Sequence, residues 1–325
     1  MKEKQIDSFR LFKIISCLGV ISVHYGQISS LSGIPRILTD FGAYGVYMFF
    51  VISGFLGYLS YSKSSSCKQY LLKRIFRILP LYYTIIIYNI ILYEFILRDQ
   101  FNMPFDSSHL GWTRYLLLLS QIIPSSDNFW INLSATWTIS HFFLFYLFVP
   151  FFFKYINTYY KALLLQVGCF IFNYFWDINY FLPFTSLYYF TIGITVYLAF
   201  NEQKKNALIT FSCLSGILFL LFHCDLKYIY SNFFMLLLIA GKDFHISNPI
   251  VSKCITLLDE YSFTAYLVHA IVVEAIILLL NIYPLSSLQI LIILVVGTVS
   301  LCILLHSLIE KPVSRFLSVR INKIR

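Results

Sequence analysis

The sequence predicts an all-α integral membrane protein with about ten transmembrane helices and with both termini in the cytoplasm. Apolar residues make up 59% of the chain and charged residues only 12%, too few charges to cover the surface of a soluble protein of 325 residues. Apolar runs long enough to cross a bilayer recur along the whole sequence. These runs are continuous and do not alternate between polar and apolar residues, so they predict helices and not a β-barrel.

Ten apolar segments are predicted to span the membrane. Two of them, 162–176 and 228–241, are short for a hydrocarbon core of about 30 Å, so we expect them to be extended, tilted or buried in the bundle. Segment 114–124 is too short to cross and is predicted to be a re-entrant or interfacial helix. The turn-forming residues of 98–135 predict an extracytoplasmic loop. The predicted spans are 11–29, 42–61, 78–97, 136–153, 162–176, 184–200, 207–223, 228–241, 262–281 and 286–308.

The distribution of Lys and Arg predicts the orientation of these spans. With ten crossings, 20 Lys and Arg residues fall on the side of the two termini and 4 on the other side. The positive-inside rule then places both termini in the cytoplasm. If segment 114–124 crossed the membrane, every later loop would change sides and the asymmetry would largely disappear. We therefore expect residues 1–325 to form a single transmembrane domain in the cytoplasmic membrane.

The net charge of +9 does not indicate a nucleic-acid partner, because most Lys and Arg residues lie in short loops beside apolar runs. The seven cysteines are scattered and none forms a CxxC pair, so no metal site and no disulfide framework are predicted. The N-terminal run is predicted to be an uncleaved first helix. Asp7, Arg10 and Lys13 lie in or beside that run, and no small-residue cleavage site follows it.

Ionisable side chains inside apolar spans are costly and are therefore the first candidates for a functional site. His24 lies in the outer half of the first span. Asp7 and Arg10, three residues apart, are predicted to pair at the cytoplasmic end of the same span. Fourteen residues separate Arg10 from His24, which places the two on a similar helix face about 21 Å apart. The alternative interpretation of His24 is a packing histidine with a hydrogen-bond partner.

The densest basic cluster lies at the predicted start of the third span, in 68–80. Arg74 and Arg77 are three residues apart, and Lys73 and Arg77 are four apart, so the three cations are helical neighbours. Two interpretations stay open. The cluster could anchor the chain to anionic lipid, or it could clamp the phosphates of an anionic cytoplasmic ligand.

Further polar candidates lie near the ends of later spans. His141 follows Trp137 and Ser140 at the outer end of the fourth span. His269 lies within the ninth span, and Glu310 closes the tenth. For His269 and Glu310, hydrogen bonding between helices is the favoured role.

Taken in order, these segments resemble the acyltransferase-3 family, the bacterial integral-membrane O-acyltransferases. The family opens with a D-x-x-R pair before a first helix that ends in His. Its second helix carries the motif G-V-x-L-F-F-V-I-S-G-F, which residues 45–55 match. The remaining family motifs are matched by Asp7, Arg10 and His24, by Arg74, Arg77, Ile78 and Pro80, by Trp137, Ser140, Phe145, Tyr146, Leu147 and Pro150, by Tyr261, Ser262, Tyr266, Leu267 and His269, and by Glu310 and Pro312. The resemblance spans residues 6–316. One departure is clear: the acidic residue of the family's W-S-L-S-x-E motif is Phe142 here, with His141 beside it.

The resemblance implies transfer of an acyl group, most often acetyl from acetyl-CoA, to a hydroxyl of a cell-surface polysaccharide or its lipid-linked precursor. CoA is cytoplasmic and polyanionic, so its phosphates are expected to bind basic residues at the cytoplasmic mouth, and an imidazole can accept a hydroxyl proton at neutral pH as a general base. We expect Arg10, Lys73, Arg74 and Arg77 to bind the phosphates, His24 to act as base with His141 as a stand-in for the missing acid, and Asp7, Trp137, Ser140, Tyr146, His269 and Glu310 to support the site.

The partners expected are therefore acyl-CoA, a surface glycan or lipid-linked saccharide, and membrane lipids. The alternative class is a membrane transporter or flippase for a saccharide or a small anion, because buried histidines and an Arg cluster would suit a transport pathway equally well. Many transporters contain repeated halves, and the sequence shows no such repeat, which counts against this alternative.

Overall fold

The computed structural model describes residues 7–92, 112–119, 135–176 and 182–322. Every regular element in these ranges is helical, which confirms the predicted all-α class. Each of the ten predicted spans overlaps a described helix. The helices are α1 (Asp7–Ile28), α2 (Gly33–Phe41), α3 (Gly45–Ser62), α4 (Cys67–Ile91), α5 (Trp112–Leu116), α6 (Trp137–Tyr155), α7 (Tyr159–Phe175), α8 (Pro183–Asn201), α9 (Lys205–Leu221), α10 (Leu226–Ala240), α11 (Pro249–Leu280), α12 (Ser287–Leu305) and α13 (Lys311–Asn322).

Seven helical segments of the described part are long and apolar enough to cross a membrane. Two of them combine consecutive elements, Gly33–Ser62 and Ser287–Leu317. The three other predicted spans correspond to α7, α9 and α10, which have 17, 17 and 15 residues. A helix of 17 residues is about 26 Å long, close to the lower limit for crossing. Ten crossings and the orientation of the termini therefore stay predictions.

Two helices that carry candidate residues begin earlier than the sequence predicts, because capping residues extend them. Ser66 accepts a hydrogen bond from the Gln69 backbone N–H at 3.1 Å, so α4 begins at Cys67 and not near residue 78. Asn248 caps α11 in the same way, with Pro249 at its first turn, so this helix begins well before residue 262. The basic cluster of 68–80 thus lies on a helix and not in a loop.

The predicted short helix at 114–124 is only partly within the described residues. α5 is a single short helix that packs against α4: the Tyr82 hydroxyl donates to the Tyr115 carbonyl at 2.7 Å, and the Tyr83 hydroxyl to the Leu116 carbonyl at 2.9 Å. Residues 120–124 lie outside the described part, as does most of the predicted loop 98–135.

α3 lies at the centre of the bundle, between α1 and α8, and glycines allow these helices to approach closely. A Cβ added to Gly193 on α8 would lie 2.0 Å from the Val51 carbonyl oxygen of α3. A Cβ added to Gly45 on α3 would lie 2.5 Å from the Ser16 carbonyl oxygen of α1. Small residues at such contacts are a general means of packing helices in membranes. The contacts fix the face that α3 turns toward α4, α6 and α11.

α1 and α11 run in the same direction through the bundle. Lys13 of α1 forms an ion pair with Asp259 of α11, and farther along both helices the His24 and His269 rings lie together. We use "basic end" for the end of the bundle where α1, α4 and α11 begin and α12 ends. The two histidines lie on the side away from it.

Candidate functional site

Five helices, α1, α3, α4, α6 and α11, surround a narrow space that we call the inner cavity. Lys13, Arg74 and Arg77 line it at the basic end, and Thr138 and Tyr266 line it at the opposite end. The wall between these ends is mostly apolar. Val46 and Leu56 of α3 both line the cavity, and ten residues of helix correspond to a length of about 15 Å. The inner cavity is therefore an elongated apolar passage with cations at one end and hydroxyl groups at the other.

A second space of about 640 Å³, the mouth cavity, lies at the basic end between α4, α11 and the chain that follows α12. Its lining includes Lys73 on α4, Glu260 on α11 and Lys311 on α13. Arg77 and Phe263 line both the mouth cavity and the inner cavity, so the two spaces adjoin at these residues. The predicted basic cluster thus lies where a polar cavity meets an apolar one.

The two arginines of this cluster differ in how they are held. The Arg74 guanidinium donates to the Leu56 carbonyl at 2.9 Å and lies 4.7 Å from the ring centroid of Tyr146 and 5.6 Å from that of Tyr70. These contacts fix it in the wall of the inner cavity. Arg77 is exposed and makes no hydrogen bond or ion pair with the described residues. Arg77 is therefore the cation of the pair that is available to a ligand.

Arg10, the fourth predicted phosphate ligand, lines neither cavity. Its guanidinium lies 3.4 Å from the Asp7 carboxylate, which confirms the predicted pairing of these two residues. The other carboxylate oxygen of Asp7 accepts from His245 Nδ1 at 2.9 Å and from the Ile246 backbone N–H at 3.0 Å. Asp7 therefore fixes the loop before α11 to the start of α1. The cation of α1 that does line the inner cavity is Lys13, which the sequence did not single out.

At the far end of the inner cavity, hydroxyl groups lead toward the two histidines. The Tyr266 hydroxyl donates to the Ala135 carbonyl at 3.2 Å and lies 3.0 Å from the Thr138 hydroxyl. The ring centroids of Tyr266 and His269 are 5.8 Å apart, and those of His269 and His24 are 5.1 Å apart. His24 does not line the inner cavity itself, so Tyr266 and His269 connect the cavity to it.

The hydrogen bonds of the two histidines determine which ring nitrogen carries a proton. His24 Nδ1 lies 3.0 Å from Gln27 Oε1, and His269 Nδ1 lies 3.2 Å from the Ala265 carbonyl oxygen. Both partners are acceptors, so Nδ1 carries the proton in each neutral ring and Nε2 carries a lone pair. His269 Nε2 is buried and has no hydrogen-bond partner among the described residues, so the hydrogen bond of His269 lies within α11, whereas the sequence predicts one between helices. Two imidazoles are thus able to accept a hydrogen bond side by side.

The predicted residues of α6 divide between the inner cavity and its surroundings. Tyr146 lines the inner cavity, and so does Phe142, which occupies the position of the family's acidic residue. His141 is buried with Nδ1 at 2.9 Å from the Trp137 carbonyl oxygen, and its ring packs against Phe50. His141, Trp137 and Ser140 line neither cavity. An apolar side chain therefore occupies the cavity wall where the motif has an acid.

Glu310 forms the interhelical hydrogen bond that the sequence predicts. Its carboxylate accepts from the Thr264 hydroxyl of α11 at 2.8 Å and from His306 Nδ1 at 2.5 Å. His306 and Glu310 are the first and last residues of a π-helical turn between α12 and α13. Sequence reasoning did not select His306, although its spacing of four residues from Glu310 could have indicated the pair.

A comparison with protein families adds the class of reaction to this geometry. The family model of the acyltransferase domain, Acyl_transf_3, matches residues 6–307. The chain belongs to the acyltransferase-3 family. It is a membrane acyltransferase, which requires an acyl donor and an acceptor. No curated protein and no solved structure matches the chain.

The ion pair of this acyltransferase beside the inner cavity gives a prediction about stability. Lys13 and Asp259 have side chains that are about one-sixth exposed, so removal of either partner leaves a largely buried charge. Asp259→Asn is expected to lower the free energy of unfolding by about 3 kcal/mol. Thermal unfolding of the purified protein in detergent measures the change.

Two further variants serve as controls for this measurement. The exposed neighbour Glu260→Gln is expected to leave the midpoint near that of the wild type. The double variant Lys13→Met/Asp259→Asn is expected to recover part of the loss, because no charge is left unpaired. Equal midpoints for Asp259→Asn and Glu260→Gln would contradict a stabilising role of the pair.

Proposed function

We propose that this protein is an O-acyltransferase that moves an acyl group, acetyl in the first instance, from cytoplasmic acyl-CoA to a hydroxyl of a surface polysaccharide or its lipid-linked precursor. One observation carries the proposal: the mouth cavity and the inner cavity adjoin at Arg77 and together lead from a basic surface to Tyr266, whose ring lies beside His269 and, through it, His24. The family match favours acyl transfer over the alternative of transport.

The chemistry of CoA matches the order of groups along this route. Its phosphates require cations, which Lys73 and Arg77 supply in the mouth cavity. Its pantetheine arm is narrow and mostly uncharged, which matches the apolar character of the inner cavity lining. The positive-inside rule predicts that the basic end faces the cytoplasm, where CoA is available. Donor entry from that side brings the thioester toward Thr138 and Tyr266, and so toward the histidines.

His24 is the proposed general base. The acceptor hydroxyl gives its proton to the lone pair on His24 Nε2 while its oxygen attacks the thioester carbonyl carbon. The tetrahedral intermediate collapses with cleavage of the carbon–sulfur bond, and the imidazolium returns the proton to the departing thiolate. The products are an ester and CoA. His269, with its unpartnered Nε2 beside His24, is placed to accept a hydrogen bond from the acceptor.

Direct transfer is favoured over a covalent acyl-enzyme. The Cys17 thiol, the cysteine of α1, donates to the Ser262 carbonyl at 3.2 Å and lines neither cavity. A nucleophilic residue needs an adjacent base to activate it. Ser53 is the serine of α3 that lines the inner cavity. It has no hydrogen bond to a histidine among the described residues.

Replacement of His24 tests the proposed base. His24→Asn is expected to lower acyl transfer at least 100-fold, which is the usual contribution of a general base, while CoA binding and thermal stability stay near those of the wild type. Purified protein is incubated with labelled acetyl-CoA and membranes from the source cells, and label in glycan is counted. The matched control is the exposed turn residue His223→Asn, expected to retain activity. Near wild-type transfer by a folded His24→Asn protein would refute the role.

Replacement of Arg77 separates the two interpretations of the basic cluster. Arg77→Gln removes a charge-assisted contact to a phosphate, so the Kd for CoA is expected to rise about tenfold or more. Lys253→Gln removes an exposed cation of α11 that lines neither cavity, and is expected to leave the Kd unchanged. Isothermal titration calorimetry in neutral lipid nanodiscs measures both. An unchanged Kd in Arg77→Gln would support lipid anchoring instead.

A further inference from the structure

The mouth cavity has a second basic wall, which comes from a part of the chain beyond the family match. The match ends at residue 307, and α13 begins at Lys311. Lys311 and Arg315 of α13 line the mouth cavity opposite Lys73 and Arg77 of α4. Cations from two separate helices therefore converge on one space.

Local structure holds α13 in this place. The π-helical turn carries Glu310, whose carboxylate is bound by His306 and by Thr264 of α11, so the chain is tied to α11 immediately before α13 begins. The Phe316 ring packs against the Phe76 ring of α4 with centroids 6.3 Å apart. Lys311 and Arg315 are four residues apart and lie on one face of the helix. Because α13 is tied at its start and packed along its side, this face stays turned toward α4.

The charges of the mouth cavity favour an anionic ligand. Four basic and two acidic side chains line it. The Glu310 carboxylate is already engaged by two donors, and the basic side chains outnumber the acidic ones. Glu260 is exposed on the α11 side, where it can accept a hydrogen bond from a ribose hydroxyl or an adenine amine. A volume of about 640 Å³ lies within the range of small-molecule and cofactor sites.

The positions of the cations along the two cavities indicate which phosphate of CoA each would bind. The diphosphate is attached to the pantetheine arm, so it must stay close to the entrance of the inner cavity, where Arg77 lies. Lys311 and Arg315 line the mouth cavity but not the inner cavity. They are therefore placed near the phosphate that is remote from the arm, which is the 3′-phosphate of the ribose.

We propose that Lys311 and Arg315 bind the 3′-phosphate of the acyl-CoA donor, so that α13 makes this acyltransferase selective for CoA over its 3′-dephospho form. The proposal rests on the proposed function, since it takes acyl-CoA as the donor. The same cations could bind the phosphate of an anionic lipid, because α13 follows directly on an apolar span. The two sources of phosphate give different results in one experiment.

The experiment titrates CoA and 3′-dephospho-CoA into the full-length protein in nanodiscs of neutral phosphatidylcholine. The wild type is expected to bind CoA about tenfold or more tightly than 3′-dephospho-CoA. Lys311→Gln/Arg315→Gln is expected to bind CoA as weakly as 3′-dephospho-CoA, with the Kd for 3′-dephospho-CoA unchanged. Lys63→Gln/Lys253→Gln removes the same charge from exposed residues outside both cavities and is expected to keep the preference.

Several results would overturn the proposal. Equal affinity of the wild type for the two nucleotides would do so without any variant. A double variant that keeps the preference for CoA in neutral discs would also overturn it. If the double variant differs from the wild type only in its binding to discs that contain phosphatidylglycerol, the cations are assigned to lipid. If the wild type binds CoA in neither form, the donor itself is wrong and the proposed function fails. Should the double variant not fold, Arg315→Lys, which keeps the charge but loses bidentate geometry, is expected to weaken the preference in part.

Discussion

The cost of placing charge inside an apolar bundle determines how this acyltransferase is arranged. Charged and polar groups within the spans persist because partners hold them: Asp259 holds Lys13, and the Leu56 carbonyl with two tyrosine rings holds Arg74. These groups collect around the inner cavity and leave the outer surface of the bundle to lipid. Arg77, exposed and unpaired among the described residues, then marks where a ligand with negative charge can enter.

The change from cationic to apolar to polar side chains along the two cavities suits a thioester donor. Cations surround the mouth cavity, apolar side chains line the passage, and hydroxyl groups and imidazoles follow at its far end. Exclusion of water by an apolar wall strengthens electrostatic interactions and protects a reactive ester from hydrolysis. The lone pairs on Nε2 of His24 and His269 provide proton acceptors where the wall ends. In the proposed reaction, one passage thus separates donor binding from proton transfer.

The sequence predicted what depends on helix length and on spacing within a helix, and it missed what depends on packing between helices. Periodicity predicted the Asp7–Arg10 pair and the grouping of Arg74 with Arg77. It could not predict that Asp7 also binds the loop before α11, or that α13 lies against α4, because contacts between helices and the Glu310 hydrogen bonds decide these arrangements. Helix starts were predicted late where Ser66 and Asn248 cap α4 and α11 about three turns or more before their predicted apolar spans begin.

We propose that the acyl group reaches the histidines through the inner cavity. Obstruction of the passage tests it most directly: Ser53→Phe fills the wall of the inner cavity without touching the mouth cavity, and Ser60→Phe places the same ring on the same helix outside both. CoA binding and transfer of labelled acetyl are measured for each variant. Ser53→Phe is expected to retain affinity for CoA and lose acyl transfer, whereas Ser60→Phe keeps both. Unimpaired transfer by Ser53→Phe would contradict the account.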